Sequence, residues 1–202
     1  MLELFSHEEE PYIPNLNNGE LHYYPSFLNA KEADNLYHKL YITTPWQEDK
    51  ITVFGKIYDQ PSLTALYAID PTPYTYYNIT MHQHPMTKRL LNLIHKISDV
   101  NAHDFNAILL NLYRDGKDSN GWHADNEKEL GKNPVIASIS LGEERYFHLK
   151  HRTDKEQRIK IKLKHGSLLI MGGEMQHYWL NQIPKTTKII SPRINITFRK
   201  IT

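Results

Sequence analysis

The segment "RINITFR", residues 193–199, decides the fold that this sequence predicts. Polar and apolar residues alternate along it, which is the pattern of a β-strand with two different faces. The polar face carries Arg193, Asn195, Thr197 and Arg199, and the apolar face carries Ile194, Ile196 and Phe198. Two arginines that face the interior of a sheet are costly unless an anion pairs with them, so the segment predicts a buried strand beside an anion site.

Other short runs with the same two-residue period lie upstream of this segment, from about residue 105 onward. They are "NAILLNLY" (106–113), "VIASISL" (135–141), "RYFHLK" (145–150), "RIKIKLK" (158–164), "SLLIM" (167–171) and "MQHYWL" (175–180). Turns rich in Gly, Pro and Asn separate these runs, and no helical pattern lies between them. The sequence therefore predicts a barrel or sandwich rather than a parallel α/β fold.

Two helices are predicted in the first half of the chain. Asn29 and Glu32 form a capping-box pattern at the start of "AKEADNLYHKLY", residues 30–41. The segment "HPMTKRLLNLIHKIS", residues 84–98, places one apolar stripe along a helix. That stripe consists of Met86, Leu90, Leu93, Ile94 and Ile97. We expect both helices to cover a sheet, which gives an α+β, mainly β fold in a single domain of residues 1–202.

Composition excludes several classes of site. The 202 residues include no cysteine, which rules out disulfides and thiolate metal sites. With 24 basic and 23 acidic residues, only a local basic face could hold a nucleic acid. The N-terminal "MLELFSHEEEPYIP" has no leader pattern, and no apolar run of about 18 residues occurs. We expect a soluble, cytoplasmic protein that is a monomer.

A metal site is suggested by "GWHADNE", residues 121–127, where His123 and Asp125 stand two positions apart. Chance alone gives about 0.6 such pairs in this composition, so a hydrogen-bonded loop pair stays open. We expect His177, in the predicted strand "MQHYWL", to be the third ligand. Two histidines and one carboxylate are typical of non-haem iron(II) oxygenases, with zinc as the competing metal.

The arginine strand is the more specific signal. The spacing of Arg193, Asn195 and Arg199 is expected only about 0.02 times by chance in a chain of this composition. Planar guanidinium groups suit carboxylates, and 2-oxoglutarate carries two of them.

Four segments in order resemble the AlkB family of iron(II)- and 2-oxoglutarate-dependent nucleic-acid demethylases. They are "NLYRDGKDSNGWHADNE" (111–127), "IASISLGEERYFHLK" (136–150), "HGSLLIMGGEMQHYWLNQIPK" (165–185) and "RINITFR" (193–199). The resemblance covers about residues 20–200, and is greatest to the subgroup with a "VFGK" element. It implies a double-stranded β-helix (jelly-roll) core at residues 105–202, preceded by helices and a nucleotide-recognition region at residues 1–104. It also implies that O2 and 2-oxoglutarate are consumed while N-methyl groups leave 1-methyladenine or 3-methylcytosine in DNA or RNA, giving formaldehyde, succinate and CO2.

The same resemblance assigns roles to single residues. His123, Asp125 and His177 match the Fe(II) ligands. The residues that match contacts to 2-oxoglutarate are Asn111, Tyr113, Arg193, Asn195 and Arg199. Of the two arginines, Arg199 matches the partner of the distal carboxylate.

For the substrate, the resemblance implies that Glu127 approaches the exocyclic nitrogen of a flipped base. Tyr74 and Tyr76 match aromatic groups of the base pocket, and Phe54 matches a finger that enters the duplex. The tyrosines could instead be packing residues, and Phe54 could be buried. The basic residues of "RIKIKLKH" (158–165) suit either solvent or phosphate.

Three functions remain open at this point. The first is base demethylation, in which a single-stranded or RNA substrate stays possible because "IYDQPSLTAL" (57–66) has no basic residue. The second keeps iron and 2-oxoglutarate but acts on a protein or small molecule. The third is a nucleic-acid-binding relative without catalysis.

Overall fold

The computed structural model describes residues 10–48, 50–53, 56–59, 61–69, 75–76, 79–80 and 82–202. Its strands are β1 Glu20–Tyr24, β2 Lys50–Val53, β3 Lys56–Asp59, β4 Leu63–Ala68, β5 Thr75–Tyr76, β6 Ile79–Thr80, β7 Gln83–Pro85, β8 Ala107–Tyr113, β9 Asn120–His123, β10 Ile136–Gly142, β11 Arg145–His151, β12 Arg158–Leu163, β13 Ser167–Gly172, β14 Trp179–Ile183 and β15 Arg193–Arg199. Its α-helices are α1 Ala30–Thr43, α2 Lys88–Ser98 and α3 Met175–Tyr178. A 3₁₀ turn covers Lys128–Leu130.

Two sheets organise these strands. The larger has seven strands in the order β1-β13-β10-β15-β8-β4-β7, and the smaller has four in the order β12-β11-β14-β9. Every neighbouring pair in both sheets is antiparallel except β4 and β7. Two separate hairpins, β2–β3 and β5–β6, complete the strands.

One core lies between the helices and the larger sheet. The apolar face of β15 joins it, with Ile194, Ile196 and Phe198 all 0% exposed. Leu36 of α1 and Leu93 of α2 belong to the same cluster. The alternation read from the sequence of β15 and the helical cover of a sheet are therefore confirmed. No helix in the described ranges combines the length and the apolar character that crossing a membrane would need.

A second core lies between the two sheets. Ile136 and Met171 of the larger sheet share a buried cluster with Phe147 and Leu163 of the smaller sheet. A sheet packed face to face on another is a β-sandwich, which confirms the mainly β expectation. Strand β12 shows the predicted alternation, because Ile161 and Leu163 are buried while the lysines between and before them are exposed.

Three expectations need correction. The larger sheet takes β1, β4 and β7 from residues 1–104, so that part supplies strands of the core and not helices with a recognition region alone. The segment "MQHYWL" is not one strand, since Met175–Tyr178 forms a helical turn and β14 begins at Trp179. Met86 packs on the core, but α2 begins only at Lys88.

The N-terminus of α1 carries the predicted capping box. The Asn29 side chain accepts a hydrogen bond from the Glu32 amide at 2.9 Å, and Glu32 Oε2 accepts one from the Asn29 amide at 3.0 Å. Lys96 of α2 donates to Glu32 Oε1 at 2.9 Å. The Lys96 ammonium, followed by the Asn29 amide, lowers the pKa of Glu32. The cap thus joins the two helices that cover the larger sheet.

We predict that Asn29→Ala lowers the free energy of unfolding by about 1 kcal/mol, because the Glu32 amide at the helix start loses its side-chain acceptor. Asn35→Ala is the matched control: Asn35 is an exposed residue inside the same helix, and alanine there favours the helix. Urea denaturation of both variants measures the difference. Equal stability of the two variants would contradict a role for the cap.

Candidate functional site

The polar face of β15 lines a crevice that lies between the two sheets. The crevice has a volume of about 50 Å³ and draws residues from both sheets. Its polar lining consists of Asn111, Tyr113, Asn120, His123, Asp125, Ser138, Asn181, Arg193, Asn195, Thr197 and Arg199. It therefore holds both the arginine strand and the predicted histidine–aspartate pair.

Arg193 is a buried cation within this crevice. It is 1% exposed, and one guanidinium nitrogen donates at 2.9 Å to both Ser140 Oγ and Asn195 Oδ1. Its guanidinium carbon lies 5.1 Å from the ring centre of Tyr113. Nε and the other terminal nitrogen have no hydrogen-bond partner among the described residues. Burial lowers the pKa of Arg193 to about 10, which still leaves it charged at neutral pH.

Arg199 differs from Arg193 because it has a carboxylate partner. Its terminal nitrogen donates to Asp125 Oδ1 at 2.8 Å, and both side chains are almost fully buried. Asp125 is in turn held by its backbone amide, which donates to Gln176 Oε1 at 2.9 Å. Arg199 is thus the arginine at the aspartate end of the crevice, whereas Arg193 is free to receive an anion.

Neutral polar groups fill the space between and beside the two arginines. Ser138 donates to Asn195 Oδ1 at 2.8 Å, and the Asn195 amide donates to Thr197 Oγ1 at 2.7 Å. Asn111 lies opposite Asn195 in the pairing of β8 with β15. Burial raises the pKa of Tyr113, so its hydroxyl stays protonated and able to donate. These groups can bind the oxygen atoms of a small acid.

His123 is held in a defined orientation at the end of β9. Its Nδ1 lies 2.7 Å from the Gly121 carbonyl oxygen, and its Nε2 lies 3.2 Å from the side-chain nitrogen Nδ2 of Asn120. Because a carbonyl only accepts, the proton belongs on Nδ1 and Nε2 presents its lone pair. A backbone carbonyl that fixes the tautomer in this way is typical of metal-binding histidines.

His177 is not brought together with His123 and Asp125. Its ring is exposed, and Nε2 contacts the Lys132 carbonyl and, at 3.1 Å, Asn133 Oδ1. Across the described part of the chain, no three His, Cys, Asp or Glu side chains are grouped to hold a metal. The crevice therefore contains two of the three predicted ligands.

The predicted substrate residues have different outcomes. Glu127 lies beside the crevice without lining it, and its Oε2 is buried with no hydrogen-bond partner. Burial, followed by the charge of Asp125, raises the pKa of Glu127. Phe54 and Tyr74 fall outside the described residues, and Tyr76 is described only as part of β5.

Sequence reasoning missed several groups at the site. Ser140 accepts a hydrogen bond from Arg193, and Asn120 contacts His123. Asn181 lines the crevice from β14. Trp122 is 40% exposed, and the Lys150 ammonium lies 4.1 Å from its ring centre. The position of Trp122 directly before His123 was the signal available for that residue, whereas the serine and the asparagines carry no motif.

Comparison with known protein families gives one match over most of the chain. The profile of the 2OG-Fe(II) oxygenase superfamily matches residues 20–199. Two solved structures share the fold. The structure of OsALKBH1 has a TM-score of 0.58 and 17% identity, and the match covers 93% of this chain and all of that one. A 2OG-Fe(II) oxygenase family oxidoreductase from Burkholderia pseudomallei has a TM-score of 0.61 and 12% identity, and the match covers 89% of this chain and 84% of that one. The jelly-roll expectation is confirmed by these likenesses.

Curated relatives are more similar in sequence. Alpha-ketoglutarate-dependent dioxygenase alkB homolog 3 of Bos taurus is 41% identical over 88% of this chain and 64% of its own length. The human protein of the same name is 40% identical over 88% of this chain and 65% of its own length. The human DNA oxidative demethylase ALKBH2 is 32% identical, and the match covers 88% of this chain and 72% of that protein. The chain thus spans slightly less than two thirds of the first two relatives.

The two arginines are expected to respond in opposite ways to substitution by methionine. Without ligands, Arg193→Met should leave stability unchanged or raise it by up to about 2 kcal/mol, since a buried charge without a carboxylate is removed. Arg199→Met should cost about 3–5 kcal/mol, because Asp125 is left buried and unpaired. Urea denaturation in a chelator-containing buffer measures both. Equal losses in the two variants would show that Arg193 has a structural partner after all.

Proposed function

The chain belongs to the 2OG-Fe(II) oxygenase superfamily and, within it, to the AlkB family, and from this premise we propose that it oxidatively demethylates N-alkylated bases of DNA or RNA. The observation that carries the proposal is Arg193, a buried cation with free donors in a crevice whose sequence motif is that of the family. The cofactors that the family requires are Fe(II), 2-oxoglutarate and O2.

The crevice suits 2-oxoglutarate. We assign the distal carboxylate to Arg193, because that guanidinium has unpartnered donors and is surrounded by Ser140 and Tyr113. This replaces the sequence-based assignment of Arg199, whose terminal nitrogen is bonded to Asp125. A bidentate guanidinium–carboxylate pair is strong and directional. Asn111 and Asn195 would then orient the acid along β8 and β15.

The reaction explains why these groups lie side by side. One oxygen atom of O2 enters the N-methyl carbon and the other enters succinate, while CO2 leaves from 2-oxoglutarate. The hydroxymethyl product then breaks its C–N bond and releases formaldehyde, which restores the base. Iron, when bound, supplies the activation of O2. His123 and Asp125 are the two described residues that would hold it, with His123 Nε2 directed by the Gly121 contact of Nδ1.

Nucleic-acid bases are the favoured substrate class because of the outer face of the smaller sheet, on the strand that carries His123. Trp122 lies next to the metal position in sequence and is partly covered by Lys150. On the same outer face of the smaller sheet, the Lys160 ammonium lies 3.9 Å from the ring centre of Tyr146. Aromatic rings with adjacent cations suit stacked bases and phosphates. Glu127 Oε2, which has no donor, could accept a hydrogen bond from an exocyclic amino group.

Other predictions on organisation remain proposals. Residues 105–202 are proposed as the catalytic part and residues 1–104 as the part that includes nucleotide recognition by Phe54, Tyr74 and Tyr76. The monomeric state and the cytoplasmic location likewise stay predictions. A protein or small-molecule substrate is the competing enzyme function.

We predict that 2-oxoglutarate alone raises the melting temperature of the full chain, because it binds only the folded state. At one hundred times its dissociation constant the gain is about 2.7 kcal/mol. Arg193→Met should abolish this gain without lowering the starting stability. A thermal-shift titration measures it, with succinamide, which lacks carboxylates, as the ligand control. An equal gain in Arg193→Met would place the acid elsewhere.

For the reaction, we expect the protein to release formaldehyde from a 3-methylcytosine oligonucleotide, and this release should depend on Fe(II) and 2-oxoglutarate. His123→Ala and Arg193→Met should each abolish it, and Trp122→Ala should raise KM more than it lowers kcat. Formaldehyde and succinate are measured together. Succinate without formaldehyde, at a rate insensitive to Glu127→Gln, would indicate a substrate other than a base. Absence of both products would favour a non-catalytic relative.

A further inference from the structure

The third position around the predicted metal is occupied in the crevice by an amide. Asn181 of β14 lies directly opposite His123 of β9 in the antiparallel pairing. Residues that face each other across such a pair project from the same side of the sheet, with Cβ atoms about 5 Å apart. Asn181, His123 and Asp125 all line the crevice. The fold therefore places Asn181 where a third ligand would stand.

The Asn181 side chain has no alternative structural role in the described part of the chain. It is 4% exposed, yet neither its oxygen nor its nitrogen takes part in a hydrogen bond to a described residue. Because Asn181 lines the crevice, its amide can contact a ligand or a water there. Its carbonyl oxygen can bind a cation, and its amino group can donate to an acid.

His177 is directed away from this position by its own helical turn. Gln176 Oε1 is fixed to the Asp125 amide, and Gln176 is 2% exposed. Successive side chains on a helix diverge by about 100°. With Gln176 directed inward, His177 faces solvent and the loop of Lys132 and Asn133.

We propose that the metal site of this chain is built from His123, Asp125 and Asn181, with a single histidine, and that His177 is not a ligand. The inference rests on the proposed function, since it concerns the metal of that same site. An amide oxygen is a neutral, hard donor that suits Mn²⁺ and Mg²⁺, whereas imidazole favours Fe²⁺, Co²⁺ and Zn²⁺. The site should therefore bind first-row metals weakly and discriminate little in favour of the later ones.

Mn²⁺ binding to the full chain tests this without turnover. With 2-oxoglutarate present and nucleic acid absent, loss of the free Mn²⁺ resonance signal gives the dissociation constant. We expect Asn181→His to tighten binding by about tenfold, and Asn181→Ala to weaken it. His177→Ala should match the wild type, while His123→Ala should abolish binding. Asn181→His should also raise the preference for Co²⁺ over Mn²⁺, which a purely structural role would not do.

Each result supports or overturns the inference. A loss of binding in His177→Ala comparable to that in His123→Ala overturns it, as does unchanged binding in Asn181→His. A wild type that binds no Mn²⁺ also overturns it, because the three residues would then not form a metal site. Should Asn181→His fail to fold by circular dichroism, Asn181→Asp replaces it, because the added charge at that position must also tighten binding.

The demethylation assay and the Mn²⁺ binding assay test the proposed reaction and the proposed metal site independently. Asn181-dependent Mn²⁺ binding without formaldehyde release would leave the metal site in place and refute the reaction. Formaldehyde release that requires His177 and does not change when Asn181 is replaced would support the reaction and refute this metal site.

Discussion

The pairing of β15 with β8 on one side and β10 on the other is the constraint on which the molecule depends. It holds seven residues extended, so that one face must meet the helix-covered core and the other must meet the crevice. A shift of one residue would exchange the faces and bury both arginines among the helices. Packing and chemistry are thus set by one register, and neither can change without the other.

The two arginines on one face of that strand differ in how their positive charges are balanced. Arg199 is neutralised by Asp125 within the protein, whereas Arg193 relies on hydroxyl, amide and aromatic neighbours that carry no charge. The difference makes the two ends of the crevice unlike, with an unneutralised cation at Arg193 and an ion pair at Arg199 and Asp125. Direction is what a cosubstrate with two unlike carboxylates requires.

Sequence reasoning succeeded where local chemistry decides the structure. The two faces of β15 and the cap at Asn29 follow from residue types alone. It failed where distant contacts decide. Strands β1 and β4 are set by their pairing with β13 and β8, and the helical turn at His177 is fixed by the contact of Gln176 with Asp125. Asn181 could not be foreseen because an asparagine is common in loops and strands and forms no metal motif of its own. Its proposed role as a ligand is inferred from its position opposite His123 in the pairing of β14 with β9.

Arg193 also has a consequence for the lifetime of the protein in a cell. A fold that retains an unneutralised charge spends more time in open forms, which proteases degrade, until an acid occupies the crevice. At a fixed rate of synthesis, the amount of the protein would then rise with the concentration of that acid.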